Sequence, residues 1–179
     1  SIDHAKFGAD LLFDEGLISR FGSDEMSADE LEMIELAIRQ HNKYRVGDDL
    51  EEGRVLDERA RRFCDIIRDA DKVDIFRAVL ESSVETIYGV SEEELKSSKI
   101  TPKVYDMFME GVGVKRCFRQ SPVDLFVGHI SLVFELVFPA SRRIVLQQGY
   151  VAKMLDFQSD NPETAKAFED MKSKVYSIL

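Results

Sequence analysis

Arg68-Asp69-Ala70-Asp71-Lys72-Val73-Asp74 places a run of carboxylates inside an apolar helical stripe. Phe63, Ile67 and Asp71 recur at every fourth position, which puts them on one helix face. The same phase turns Asp69 and Asp74 away, so Asp71 is the inward-facing candidate. An isolated buried carboxylate is prohibitively costly, so it must find a cation, a hydrogen-bond donor or a metal. A structural ion pair with Lys72, Arg68 or another arginine is the ordinary solution. His4 and His41, two of the three histidines, sit in similar positions on other expected helices. A metal centre assembled from several helices accounts for all three residues together.

Outward from that segment the signals are helical. A first helix is expected from about Asp3 to Glu15, with His4, Phe7, Leu11 and Leu12 on one side and Gly16 at its end. Ser27-Ala28-Asp29-Glu30 is a capping box that opens a second helix with the stripe Leu31, Ile34, Ile38 and His41. Asn42 to Gly53 reads as a polar, acidic loop, and a third helical region follows from about Arg54 to Ser82. Ser91 opens a short helix. Thr101-Pro102 opens another that ends at Gly111, and Ser121-Pro122 leads into Leu125, Phe126, His129, Val133 and Leu136. Phe138-Pro139 breaks that pattern, Ala140 to about Phe157 continues as a helix, and Asn161-Pro162 opens the last one. No strand alternation, internal repeat or linker is evident. The expectation is one all-α domain over residues 1–179.

The chain has 179 residues, enough for a substantial core. No apolar run is long enough to span a bilayer, and no basic segment followed by an apolar one marks a signal peptide. The net charge of −10 argues against a broad nucleic-acid or anionic-membrane surface. It leaves room for a small phosphate-bearing substrate, because a bound cation inverts the local field. Cys64 and Cys117 read as buried free thiols in apolar helices, which fits a cytoplasmic protein. The apolar density of Leu125 to Phe138 leaves self-association open.

Among the residues able to carry chemistry, His41 has an ordinary reading as a helix C-terminal histidine, with Asn42 as a simple cap. His4 begins its helix, where the macrodipole disfavours an imidazolium and a neutral, metal-binding ring is expected. Asp3 reads as an N-cap. Neutral imidazole and carboxylate together suit borderline divalent metals. His129 reads as a packed histidine. Lys115, Arg116 and Arg119 form one basic cluster and Arg142-Arg143 another, both solvated by default. The acidic residues Asp48, Asp49, Glu51 and Glu52 lack the ligand spacing of a calcium loop.

Asp3-His4-Ala5-Lys6-Phe7-Gly8-Ala9, Ile38-Arg39-Gln40-His41-Asn42 and the Arg68–Asp74 segment, in this order and spacing, resemble the HD-domain superfamily of metal-dependent phosphohydrolases. The resemblance covers the first half of the chain, a partial HD core over residues 1–82, with residues 83–179 as a helical extension. It implies an all-α fold and hydrolysis of a nucleotide or related phosphate ester. It also implies a divalent cation of the Mn, Fe, Zn, Co, Ni or Mg kind. Asp71 matches the family's last metal aspartate, with Asp69 as the reserve. His4 and His41 match histidines that bind a second cation, stabilise phosphate charge or protonate a leaving oxygen. Lys72 matches a basic residue near the substrate phosphate. The family's His-Asp doublet has no counterpart in the chain, and that segment is expected upstream of Ser1. Gly149-Tyr150-Val151 lacks the proline of cyclic-dinucleotide phosphodiesterases, which counts against that substrate. The rival expectation is a non-catalytic HD-like helical domain that binds a nucleotide or a protein partner.

Overall fold

Side-chain caps and prolines set where most helices begin. The computed structural model describes residues 3–47 and 56–179. The acidic residues Asp48, Asp49, Glu51 and Glu52 and the expected helix start at Arg54 lie outside the described residues. Among the described residues all regular structure is helical, so the fold class is all-α.

Ten α-helices follow one another among the described residues: α1 (His4–Ala9), α2 (Ala28–Gln40), α3 (Glu58–Glu81), α4 (Val84–Tyr88), α5 (Glu92–Ser97), α6 (Pro102–Glu110), α7 (Pro122–Ile130), α8 (Pro139–Gln148), α9 (Tyr150–Leu155) and α10 (Pro162–Tyr176). Ser27, Ser91 and Ser121 each close a capping box, and proline occupies the first turn of α6, α7, α8 and α10. Past Ala9 the chain widens into a π-helical turn over Asp10–Asp14. The expected helix over residues 140–157 is broken at Gly149, whose φ of 70° lies in the left-handed region and separates α8 from α9.

Packing divides the chain into two compact units, Ser1–Asp71 and Lys72–Leu179, with the division inside α3. The first has a small core of Leu36, Ala37, Ala60 and Cys64, with Met33, Phe63 and Ile67 against it. The inner face of α1 is Ala5 and Ala9, while Phe7, expected inside, is 52% exposed. Small side chains let the α1 and α2 backbones approach closely. The second unit carries the larger core, in which Phe76, Phe108, Ile130, Leu136, Met154 and Met171 are fully buried. Phe126, Val127, Ile130, Val133 and Leu136 are all spent there, which accounts for the apolar density of that stretch. Cys64 is buried as expected, whereas Cys117 is exposed because it sits in a short 3-10 turn over Arg116–Phe118. No helix is long and apolar enough to cross a membrane among the described residues.

Candidate functional site

Two mirrored doublets, Asp3-His4 and His41-Asn42, meet in the first unit. Asp3 caps α1 by accepting from the backbone N–H of Ala5 (3.1 Å) and of Lys6 (3.3 Å). The same carboxylate accepts from Asn42 Nδ2 at 2.8 Å and from Lys43 Nζ at 3.2 Å. The Asn42 hydrogen bond, then the Lys6 N–H and the Lys43 ammonium, hold the Asp3 carboxyl well below the usual carboxylate range. Beside this lock His4 Nε2 stands 3.0 Å from His41 Nε2. The rings tilt by 58° with centroids 5.0 Å apart, so the contact is edge to edge rather than stacked.

The proton positions on His41 follow from its partners. His41 Nδ1 is 2.6 Å from the carbonyl oxygen of Ile38, and a carbonyl only accepts. Nδ1 therefore carries a hydrogen, and in the neutral ring Nε2 is the acceptor. His4 Nε2–H then donates to it. An N–H held by a backbone carbonyl is also how metal-binding histidines are oriented.

The scaffold around the pair is fixed by two arginines, Arg39, which is half-buried, and Arg68, which is buried. Arg39 joins the turn after α1 to α2, with Nη1 2.7 Å from Asp10 and Nη2 2.7 Å from Glu35. Arg68, only 7% exposed, donates from α3 to the carbonyls of Lys43 and Tyr44 and so sets the turn that follows His41. Asn42 Oδ1 is buried and nothing among the described residues donates to it.

The carboxylates of α3 differ from the expected phase. Asp69 is the buried one at 2% exposure, and Asp71 is half-buried. The inward face runs Cys64, Asp65, Arg68, Asp69, Lys72 and Phe76, a mixed polar and apolar series at helical spacing. No ion pair among the described residues reaches Asp71: Arg68 is spent on carbonyls, and Lys72, 4% exposed in the second unit, lies 3.5 Å from Glu135. Lys72 is thus held in packing, not presented to solvent as a phosphate-binding ammonium. Among the described residues no three His, Cys, Asp or Glu side chains come together as metal ligands, so Asp71 does not join the imidazole pair. Two imidazole nitrogens 3.0 Å apart lie within the span of donors each about 2.0–2.1 Å from one cation. The pair therefore fits part of a metal donor set, and the described residues do not complete one. A cleft of about 300 Å³ lined by Asp29, Glu32, Met33, Leu36, Asp57 and Arg59 contains none of these residues and is not this site.

Sequence reading gave Asp3 and Asn42 only capping roles. Their adjacency to the two histidines, in opposite order, was the available signal. The fold and site define an all-helical protein with a paired-imidazole junction. Compared with known families, curated proteins and solved structures, the chain matches no family model, no curated protein and no solved structure.

Proposed function

We propose that the chain carries part of an HD-type metal-dependent phosphohydrolase acting on a nucleotide or a related phosphate ester. The contact of His4 with His41, 37 positions apart in sequence, carries the reading. It is a pair of oriented imidazoles at the edge of its unit, backed by a locked Asp3 and beside an unpartnered Asn42 acceptor.

In this reading His4 Nε2–H is the proton available to a leaving oxygen. His41 Nε2, fixed by its own Nδ1–H on Ile38, accepts the proton that the attacking water releases and passes it to His4, which restores both rings. Asp71 serves as the metal ligand, because it is half-buried and uncommitted; Asp69, the reserve, is enclosed. A bound divalent cation would supply a water of lowered pKa and a polarised phosphoryl oxygen. The family's histidine and His-Asp doublet, which would complete the donor set, have no counterpart among the residues of this chain.

The test is phosphate release from a panel of nucleotides by protein made from the complete gene, with divalent metals added singly. Turnover is expected, and His41→Gln should lower it about 100-fold or more. Equal turnover by wild type and His41→Gln would remove the pair from the chemistry.

A second reading is favoured by one observation, the lack of a three-ligand group among the described residues. There the chain is a non-catalytic HD-like helical domain that binds a nucleotide or a protein partner. A nucleotide-dependent rise in melting temperature without phosphate release supports it.

A further inference from the structure

In the second unit α8 is enclosed on one narrow side only. Of its ten residues Ser141 and Val145, four positions apart, are buried, whereas α7 buries six of nine. Helical phase centres the opposite face on Arg143. Pro139 and Leu146 lie to one side of it and Ala140, Gln147 and Ile144 to the other, and all six residues are exposed. Ile144 is 42% and Leu146 45% exposed, and Val137, just before the helix, is 49% exposed. Single apolar side chains on a surface are ordinary. Two branched ones that flank a cation on one short helix form a patch.

The charge of this region runs against that of the chain. The net charge is −10, with 34 Asp and Glu in 179 residues, yet the twenty residues from Leu136 to Leu155 contain neither. Their charged residues are Arg142, Arg143 and Lys153. Arg142 is half-buried and donates through Nη2 to the Leu136 carbonyl at 3.0 Å. No ion pair among the described residues reaches Arg142 or Arg143.

A second copy of the chain fits this face poorly. A two-fold contact joins a patch to itself, so one centred here sets Arg143 against its own copy. An anionic bilayer fits poorly as well, because it repels a chain of charge −10 and α8 offers it a strip of only about 15 Å. A narrow partner meets the cation without meeting the rest of the negative surface. We propose that the outward face of α8 docks an acidic amphipathic helix of a protein partner. A carboxylate of that helix pairs with Arg143, and its apolar residues cover Ile144 and Leu146. Charge complementarity sets the sign of the partner, and the roughly three turns of α8 match helical anchors spaced three and four apart. The proposal concerns the second unit and is independent of the His4–His41 reading.

The experiment titrates the full chain into a fluorescent synthetic helical peptide with Leu at spacings of three and four and Glu elsewhere, read by anisotropy. The same peptide with Lys in place of Glu is the control. Saturable binding of the Glu peptide that weakens with added salt is expected, with none of the Lys peptide. Arg143→Glu and Ile144→Ser, both on exposed residues, should each weaken it about tenfold or more, while Arg143→Lys keeps most of the affinity. Arg62→Glu, exposed on α3, makes the same change in net charge and should leave affinity unaltered. Circular dichroism checks that each variant folds. No saturable binding, equal binding of the Lys peptide, or equal affinity in wild type and Arg143→Glu overturns the proposal. A dimer in sedimentation that Ile144→Ser abolishes, or binding to mixed phosphatidylcholine–phosphatidylserine vesicles that Arg143→Glu abolishes, assigns the face to another occupant and also overturns it.

Discussion

His4 and His41 face each other through their Nε2 atoms at 3.0 Å, and only one hydrogen fits on the line between them. The Ile38 carbonyl decides which ring provides it, because it requires a hydrogen on His41 Nδ1. Long-range proton–nitrogen NMR at neutral pH should show His41 as the Nδ1–H tautomer and His4 as the Nε2–H tautomer. The opposite assignment for His41 contradicts the contact with Ile38.

The two α3 aspartates should separate cleanly. Asp69 is enclosed, so Asp69→Ala leaves its buried surroundings uncompensated and should cost about 3 kcal/mol in urea unfolding. Asp71 is half-buried and makes no described ion pair, so Asp71→Ala should stay within about 1 kcal/mol. A reversed order would restore Asp71 as the inward residue.

Much of the fold is legible because its punctuation is local. Ser27, Ser91 and Ser121 each meet an acid three positions on, and prolines stand where helices begin. The break at Gly149 is less visible, since apolar periodicity continues from Val145 through Val151 and Met154 across it. The face of α3 is hidden for a different reason. A stripe of apolar residues predicts Phe63 and Ile67 correctly as core neighbours, yet the deeply buried positions include Asp65, Arg68, Asp69 and Lys72. Burial of a charged residue depends on partners distant in sequence, such as the Lys43 carbonyl for Arg68 or Glu135 for Lys72. Helical phase alone does not contain that information. The meeting of His4 with His41 was foreseeable from their stripe positions, and their isolation from Asp71 was not.

Asp124 ties the start of α6 to the start of α7 through one carboxylate, accepting from Thr101, Gln120 and Ser121. Asp124→Ala strands buried N–H groups and should lower stability by about 3 kcal/mol. Denaturant titration checks it, and a loss indistinguishable from zero would show that water replaces the carboxylate.

His129 makes the second unit sensitive to acid. Its folded pKa, about 4, lies below the ordinary value of 6.5 because of burial and then of Arg119 and Arg116. Between those values the unfolded chain binds a proton that the folded one refuses, so stability falls as pH drops from 6.5 towards 4 and levels off below. The integrated loss from this residue is about 3 kcal/mol. His129→Gln should remove that part of the pH dependence, and an unchanged profile would contradict it.

Metal content measured on protein from the complete gene, wild type beside Asp71→Ala, tests the hydrolase reading most directly. A transition metal bound by the wild type and lost in the variant, together with phosphate release, is the predicted result. Wild-type protein without metal, or a variant that keeps its full metal content, would contradict it.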